Sequence, residues 1–263
     1  MIEIKSKSAG GELTSILVDN KECLHDGVVV WNRHSPVLFP IVGKLRNNKT
    51  IINGQEYEMT QHGFARDMEF KNIGTNEYLL KSNEKTKIKY PFDFELYIKY
   101  SVEDNTVITE YKVINKGNIE MPFGIGGHPA YKMNYNNVSV EFEKEEDIQF
   151  YNLEEGLLKK ADKKRIKELK LNSNSFDNDA IIMSDIDSKK VLVKEDGKPV
   201  LEFEFEGFPY FAIWSKKDAP FLCLEPWYTT TDYIDSNGIF VEKQGTIVLK
   251  PNETFSSKYK VRF

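Results

Sequence analysis

Phe94-Glu95-Leu96-Tyr97-Ile98-Lys99-Tyr100-Ser101-Val102 sets an apolar or aromatic residue at every second position, with polar residues in most of the gaps. A period of two predicts a half-buried antiparallel strand. Glu103-Asp104-Asn105 then supplies turn chemistry, and Val107 to Ile114 reads as the returning strand of a hairpin. The same alternation recurs in Leu201-Glu202-Phe203-Glu204-Phe205 and in Tyr259-Lys260-Val261-Arg262-Phe263, and Asn53-Gly54 marks a further tight turn. Helical pattern is scarce. Lys159 to Leu171 offers a helical candidate, but its charges favour a solvated surface segment, and Asn172 to Asp179 reads as a loop. No repeat, linker or composition break divides the chain. Residues 1–263 are therefore expected to form one large all-β sandwich domain.

Composition narrows the function classes. The chain has 263 residues, 40% hydrophobic and 29% charged, so it is neither disordered nor rich enough in apolar runs to span a membrane as helices. A net charge of −5 argues against a basic face for nucleic acid. Met1 to Ser6 lacks the apolar stretch of a secretory signal, and the expectation is a cytoplasmic protein. With only two cysteines, Cys23 and Cys223, there is neither a disulfide framework nor a paired metal knuckle. The 13 Tyr and 17 Phe are the unusual feature, and they favour strands.

Three segments break the strand rhythm: Met59 to Arg66, Phe123 to Tyr131 and Leu222 to Tyr228. Each puts an ionisable residue beside Gly or Pro, where strands end and backbones turn. Taken singly, His62 and His128 read as ordinary loop-end residues bonded to backbone. Glu225 is harder to dismiss. In Phe221-Leu222-Cys223-Leu224-Glu225-Pro226-Trp227 a carboxylate lies in an apolar run, where burial costs several kcal/mol unless it is paired or functional. Burial also raises its pKa, which suits a general base. Competing motifs fail. Gly124-Ile125-Gly126-Gly127 lacks the last glycine and the helix of a dinucleotide loop, and no phosphate-binding GxxxxGK[ST] loop or GxSxG nucleophile elbow is present. Two histidines and a carboxylate allow a metal site, but no HxH or HExxH spacing supports one.

Together these segments resemble the aldose 1-epimerase, or galactose mutarotase-like, family. The resemblance runs from Pro36-Val37-Leu38-Phe39-Pro40 and Gly43, through His62-Gly63-Phe64-Ala65-Arg66 and Tyr90-Pro91-Phe92. It continues through Gly127-His128-Pro129-Ala130-Tyr131 and Leu224-Glu225-Pro226-Trp227 to Leu249-Lys250-Pro251-Asn252-Glu253. It is closest to the LacX-like branch. It implies a galactose mutarotase-like β-supersandwich with an open sugar-binding cleft, and interconversion of the α and β anomers of a free hexose. By the same resemblance His128 is the general acid at the ring oxygen, Glu225 the general base at the C1 hydroxyl, and His62 a second histidine that binds sugar hydroxyls. Arg66 and the face of Trp227 are sugar contacts. Where many relatives carry a GRxANR-like run this chain has Gly43-Lys44-Leu45-Arg46-Asn47-Asn48, so the substrate arginine falls to Arg46 or Arg66. Asp179 matches a family aspartate that bonds sugar hydroxyls, with an exposed turn aspartate as the competing reading.

The resemblance implies no metal and no organic cofactor, and the only expected partner is a small-molecule sugar, on a monomer or homodimer. Two alternatives stand beside the free-sugar epimerase. The HGFAR segment is also similar to hexose-6-phosphate epimerases, for which Arg33, Arg46, Arg66 and Lys132 are candidate phosphate donors. A non-catalytic sugar-binding protein on the same fold is the other, although a binder has no need of a buried base.

Overall fold

The computed structural model describes residues 1–27 and 30–263. The expected hairpin is formed by strands Phe94–Glu103 and Thr106–Asn115. Glu103 pairs with Thr106, which leaves Asp104 and Asn105 as the turn, and Asp104 adopts φ 50°. A short polar side chain tolerates that left-handed geometry. Phe94, Leu96, Ile98 and Tyr100 are buried, so alternation in the sequence has become two faces of a sheet.

This hairpin belongs to a 15-stranded sheet whose ladders are antiparallel. The long strand Val138–Glu154 makes that sheet into two layers. Its first part, Val138–Phe142, pairs with residues 191–195; its later part, Gln149–Tyr151, pairs with residues 182–184. An irregular register between Glu141 and Glu146 separates the two parts, and irregularities of this kind let a strand bend from one layer into the next. One layer continues through Tyr210–Trp214 and Phe221–Trp227 to Gly126–Gly127 and Val37–Leu38. The other continues through Lys198–Glu204 and Thr254–Arg262 to the hairpin. Between them Phe203 meets Phe211 at 5.8 Å and Tyr131 at 6.2 Å, in a core shared with Leu222, Leu224 and Tyr259. The expected large β-sandwich is thus present.

Two expectations are corrected. Lys159 to Leu171 is largely solvent-exposed as expected, but it is not helical: Leu157–Lys170 is a strand paired with Val138–Glu154. Cross-strand pairs such as Lys167–Glu141 and Arg165–Glu145 carry its charges, and the ladder overrides local helical preference. Glu225 does not sit at a strand end either. It lies inside the seven-residue strand Phe221–Trp227, buried along its whole length. Among the described residues the only α-helix is Glu84–Lys87, and no helix is long and apolar enough to cross a membrane.

Candidate active site

Strand Phe221–Trp227 builds the site through its alternation. Leu222 and Leu224 point into the inter-layer core, while Cys223, Glu225 and Trp227 leave the opposite face. On the neighbouring strand Ala212 pairs with Glu225, and on the other side Gly126 pairs with Trp227. These small neighbours leave room for a carboxyl and an indole on a tightly packed sheet. His128 lies between Gly126–Gly127 and Ala130–Lys132, two short strands that both pair with Phe221–Trp227. The proton-carrying side chains therefore stand on hydrogen-bonded neighbours: His128 Nε2 is 3.3 Å from Glu225 Oε2. Glu225 is 1% exposed and His128 is 6% exposed.

A cleft of about 350 Å³ opens over this pair. That volume is in the range, roughly 300–1,000 Å³, of small-molecule sites. His62, Arg66, Trp227 and Asp179 line it together with the pair, so the structure brings six of the seven residues assigned to the sugar site to one place; of the further phosphate candidates Arg33 lines it and Lys132 does not. Arg46 is the exception. Its backbone N–H donates to Asp232 Oδ2 and its guanidinium to the Ser236 carbonyl, in a separate shallow depression with Lys49 and Asn237. Leu45 is drawn into the core and the chain turns outward after it, with Asn47 and Asn48 at positive φ. The expectation that Arg46 reaches the cleft is corrected on that ground.

His62 has a fixed role. The Gly43 N–H donates to its Nδ1 at 3.1 Å, so Nδ1 keeps its lone pair and the proton of the neutral ring sits on Nε2. Burial first, then the nearby His128 and Arg66, holds its pKa well below the usual histidine range. His62 is consequently a neutral N–H donor. His128 is boxed by rings. Trp31 stacks on it at 4.9 Å and 29°, while Trp214 and His62 meet it edge-on at 5.7 and 5.5 Å.

Burial, followed by the charge of Asp179, raises the Glu225 pKa well above the carboxylate range; Arg66 and the Trp227 indole oppose the shift. Burial, followed by Arg66, lowers that of His128. Both shifts favour the same state, a pair that carries a single proton. Around it, His128 Nδ1, Glu225 Oε2, Trp227 Nε1 and Arg66 Nε are buried with no hydrogen-bond partner among the described residues. The Trp227 N–H approaches the carboxyl without reaching bonding geometry. Each buried polar group left this way costs about 1–3 kcal/mol, and a polyhydroxylated ligand could satisfy them.

At one end of the cleft Arg66 donates to the Gln61 carbonyl at 2.6 Å, and Arg33 donates to Asp67 Oδ1 at 2.7 Å. Burial and the neighbouring Arg33 lower the Arg66 pKa to about 10. Asp179 sits at the rim in an exposed turn at φ 73°, its Oδ1 accepting from the Ala180 N–H. Trp31, Gln61 and Trp214 also line the cleft, and sequence reasoning missed them. A signal existed: the chain has three tryptophans, and all three stand here.

Comparison with known proteins places this geometry in a family. Residues 2–262 match the aldose 1-epimerase family. The chain is 31% identical to Protein LacX (plasmid) of Lactococcus lactis subsp. lactis, over 99% of this chain and 96% of that protein. Its structure superposes on a galactose mutarotase related enzyme from Lactobacillus acidophilus with a TM-score of 0.95 at 29% identity, covering 100% of this chain and 94% of that one. A galactose mutarotase-like protein from Lactobacillus casei gives 0.92 at 25% identity, over 99% and 96%. With a match that runs almost from end to end, the chain belongs to the aldose 1-epimerase family.

Proposed function

We propose that this protein is an aldose 1-epimerase of the LacX-like branch, interconverting the anomers of a free hexose. The observation that carries the reading is the 3.3 Å approach of His128 Nε2 and Glu225 Oε2 in a cleft ringed by unsatisfied polar atoms. Ring oxygen and C1 hydroxyl share one carbon, so acid and base must reach one small region from two sides. Neighbouring strands supply that placement.

A hexose entering the cleft separates the pair and takes up its free valences, with the shared proton on His128 and Glu225 ionised. Glu225 removes the C1 hydroxyl proton while His128 protonates the ring oxygen. The C1–ring-oxygen bond breaks, its electron pair staying on oxygen, and C1 becomes an aldehyde. Rotation about the C1–C2 bond presents the other carbonyl face. Ring closure then runs the transfers in reverse, with Glu225 as acid and His128 as base. Each positioned proton transfer contributes about 10²–10⁴-fold. His62 Nε2–H and the Arg66 guanidinium donate to sugar oxygens, and the Trp227 face packs on sugar C–H surface.

One observation favours a second reading. Arg33 and Arg66 stand together at one cleft end, and paired guanidinium groups suit a phosphate. Polarimetry or NMR of freshly dissolved α-galactose, α-glucose and glucose 6-phosphate separates the two. Faster relaxation of the free sugars supports the free-hexose assignment. A preference for the phosphate ester that disappears in Arg66→Ala would replace it. No acceleration of any aldose, at an enzyme level where a mutarotase would equilibrate the sample, would leave a sugar-binding protein.

A further inference from the structure

Cys223 takes no part in the chemistry above, yet it leaves the same sheet face as Glu225, two residues earlier on the strand. Its cross-strand neighbours are Ala130 and Trp214, and Trp31 packs against the same apolar cluster. The thiol is free and fully buried. One ligand-type atom each from His128, Cys223 and Glu225 lies within 4.8 Å of the other two.

We propose that these three side chains form a binding site for a thiophilic divalent cation of the zinc class, and that its occupation silences the acid–base pair. The proposal rests on the assignment of His128 and Glu225 as acid and base. Several observations support it. Two ligands at about 2.0–2.1 Å from a tetrahedral ion stand about 3.3 Å apart. His128 Nε2 and Glu225 Oε2 are already at 3.3 Å. An edge between sulfur and nitrogen spans about 3.6 Å in the same geometry, and with no separation above 4.8 Å the thiol has at most roughly 1 Å to close. Glu225 Oε2 is buried and without a hydrogen-bond partner among the described residues, so a cation would satisfy it.

The donor set selects the ion. Thiolate, imidazole and carboxylate together suit zinc-class metals and disfavour magnesium and calcium, which take oxygen ligands. His128 and Glu225 both line the cleft, which supplies the entry path and leaves the fourth position to water. Binding forms one metal–sulfur, one metal–nitrogen and one metal–oxygen bond. The thiol proton and the proton shared by the pair leave for solvent, and nothing is oxidised or reduced. With His128 Nε2 and Glu225 Oε2 on the ion, neither of these two atoms can exchange a proton with the sugar.

The test uses the full-length protein carrying Cys23→Ser, which removes the other thiol, with and without Cys223→Ala. Cobalt(II) serves as the spectroscopic probe and zinc(II) as the inhibitor. Cobalt should give a thiolate charge-transfer band with the Cys223 protein and none with Cys223→Ala. Half-inhibition of anomer interconversion should need at least about tenfold more zinc in Cys223→Ala, and magnesium should inhibit neither. Thermal melting verifies that Cys223→Ala is folded, with Cys223→Ser as the replacement if it is not. No thiolate band, or equal zinc sensitivity in the two proteins, overturns the site. The cobalt band needs no turnover, so a protein that binds cobalt through Cys223 but interconverts no sugar keeps the site and loses the functional reading instead.

Discussion

Replacing Gly43 by alanine adds one methyl group to the loop whose N–H fixes the tautomer of His62. Gly43 adopts φ +70°, and a Cβ there would stand 2.6 Å from both Cα and Cβ of Thr231. Left-handed backbone costs an L-residue about 1–2 kcal/mol. Forcing a methyl into packed surroundings adds about 1–3 kcal/mol, for a total of roughly 2–5 kcal/mol. Gly54 is the internal control, since its φ is +76° but nothing lies within 4 Å of its would-be Cβ. Gly54→Ala therefore carries the first cost alone. In a chain of this size 1 kcal/mol moves Tm by about 2–4 °C, so Gly43→Ala should melt roughly 2–12 °C below Gly54→Ala. Activity should separate the two as well. Displacing the Gly43 N–H from His62 Nδ1, 3.1 Å away, frees the ring to change tautomer, and kcat/KM should fall about tenfold or more. Paired thermal melts and polarimetric assays read both effects. A Gly43→Ala protein that melts with Gly54→Ala and keeps wild-type turnover refutes the packing argument and the tautomer argument together.

Glu225→Gln should keep the fold and lower kcat by about 10²-fold or more, measured by relaxation of α-galactose; near wild-type turnover would remove Glu225 as the base. The pH profile follows from opposite shifts in the pair. His128 is lowered to about 3 by burial and by Arg66, while Glu225 is raised by burial and by Asp179, so the single-proton state spans a wide interval. The free enzyme should hold a flat kcat/KM across neutral pH. It should lose activity on the acid side only well below pH 6.5, as a second proton binds, and on the alkaline side when the last proton leaves. A narrow bell centred between ordinary Glu and His values, or an alkaline limb unchanged in His128→Asn, contradicts this. Glu12 gives a stability test away from the cleft. Burial raises its pKa, but the His34 side chain, Lys7 and the His34 backbone N–H outweigh that and bring it from 4.5 to about 2. A depressed carboxyl stabilises above its unfolded pKa and loses the effect as pH falls through the folded one. Glu12→Gln should cost about 3 kcal/mol at pH 7 and converge with wild type near pH 2 in denaturant titrations.

What the sequence disclosed follows the range of its signals. Alternation in Phe94 to Val102 is local, and it gave both the strand and its buried face. Glu225 was visible because a charge in an apolar run is anomalous within a few residues. The long strand Leu157–Lys170 was hidden, because its charges become a ladder only opposite Val138–Glu154, where Lys170 pairs with Ser139, 31 positions back in the chain. Arg46 misled for a similar reason. It stands where relatives carry a substrate-binding run, but its place is set by Asp232 and Ser236, far along the chain. Trp31 is positioned by its stack on His128, a contact no local pattern encodes.

The alternation of strand Phe221–Trp227 also bears on how such a protein can diverge. Leu222 and Leu224 answer to the sandwich interior, while Glu225 and Trp227, on the opposite face, answer to whatever occupies the cleft. Selection for foldability and selection for ligand therefore act on alternate letters of the same seven-residue word. A change at Trp214, part-buried on the adjoining strand, can reshape the recognised molecule without repacking the inter-layer core, whereas Trp227 also packs in a second buried cluster with Leu38, Ile182 and Tyr210. Alternation of this kind lets one scaffold host different ligands on one face of a strand while the other face keeps the layers packed.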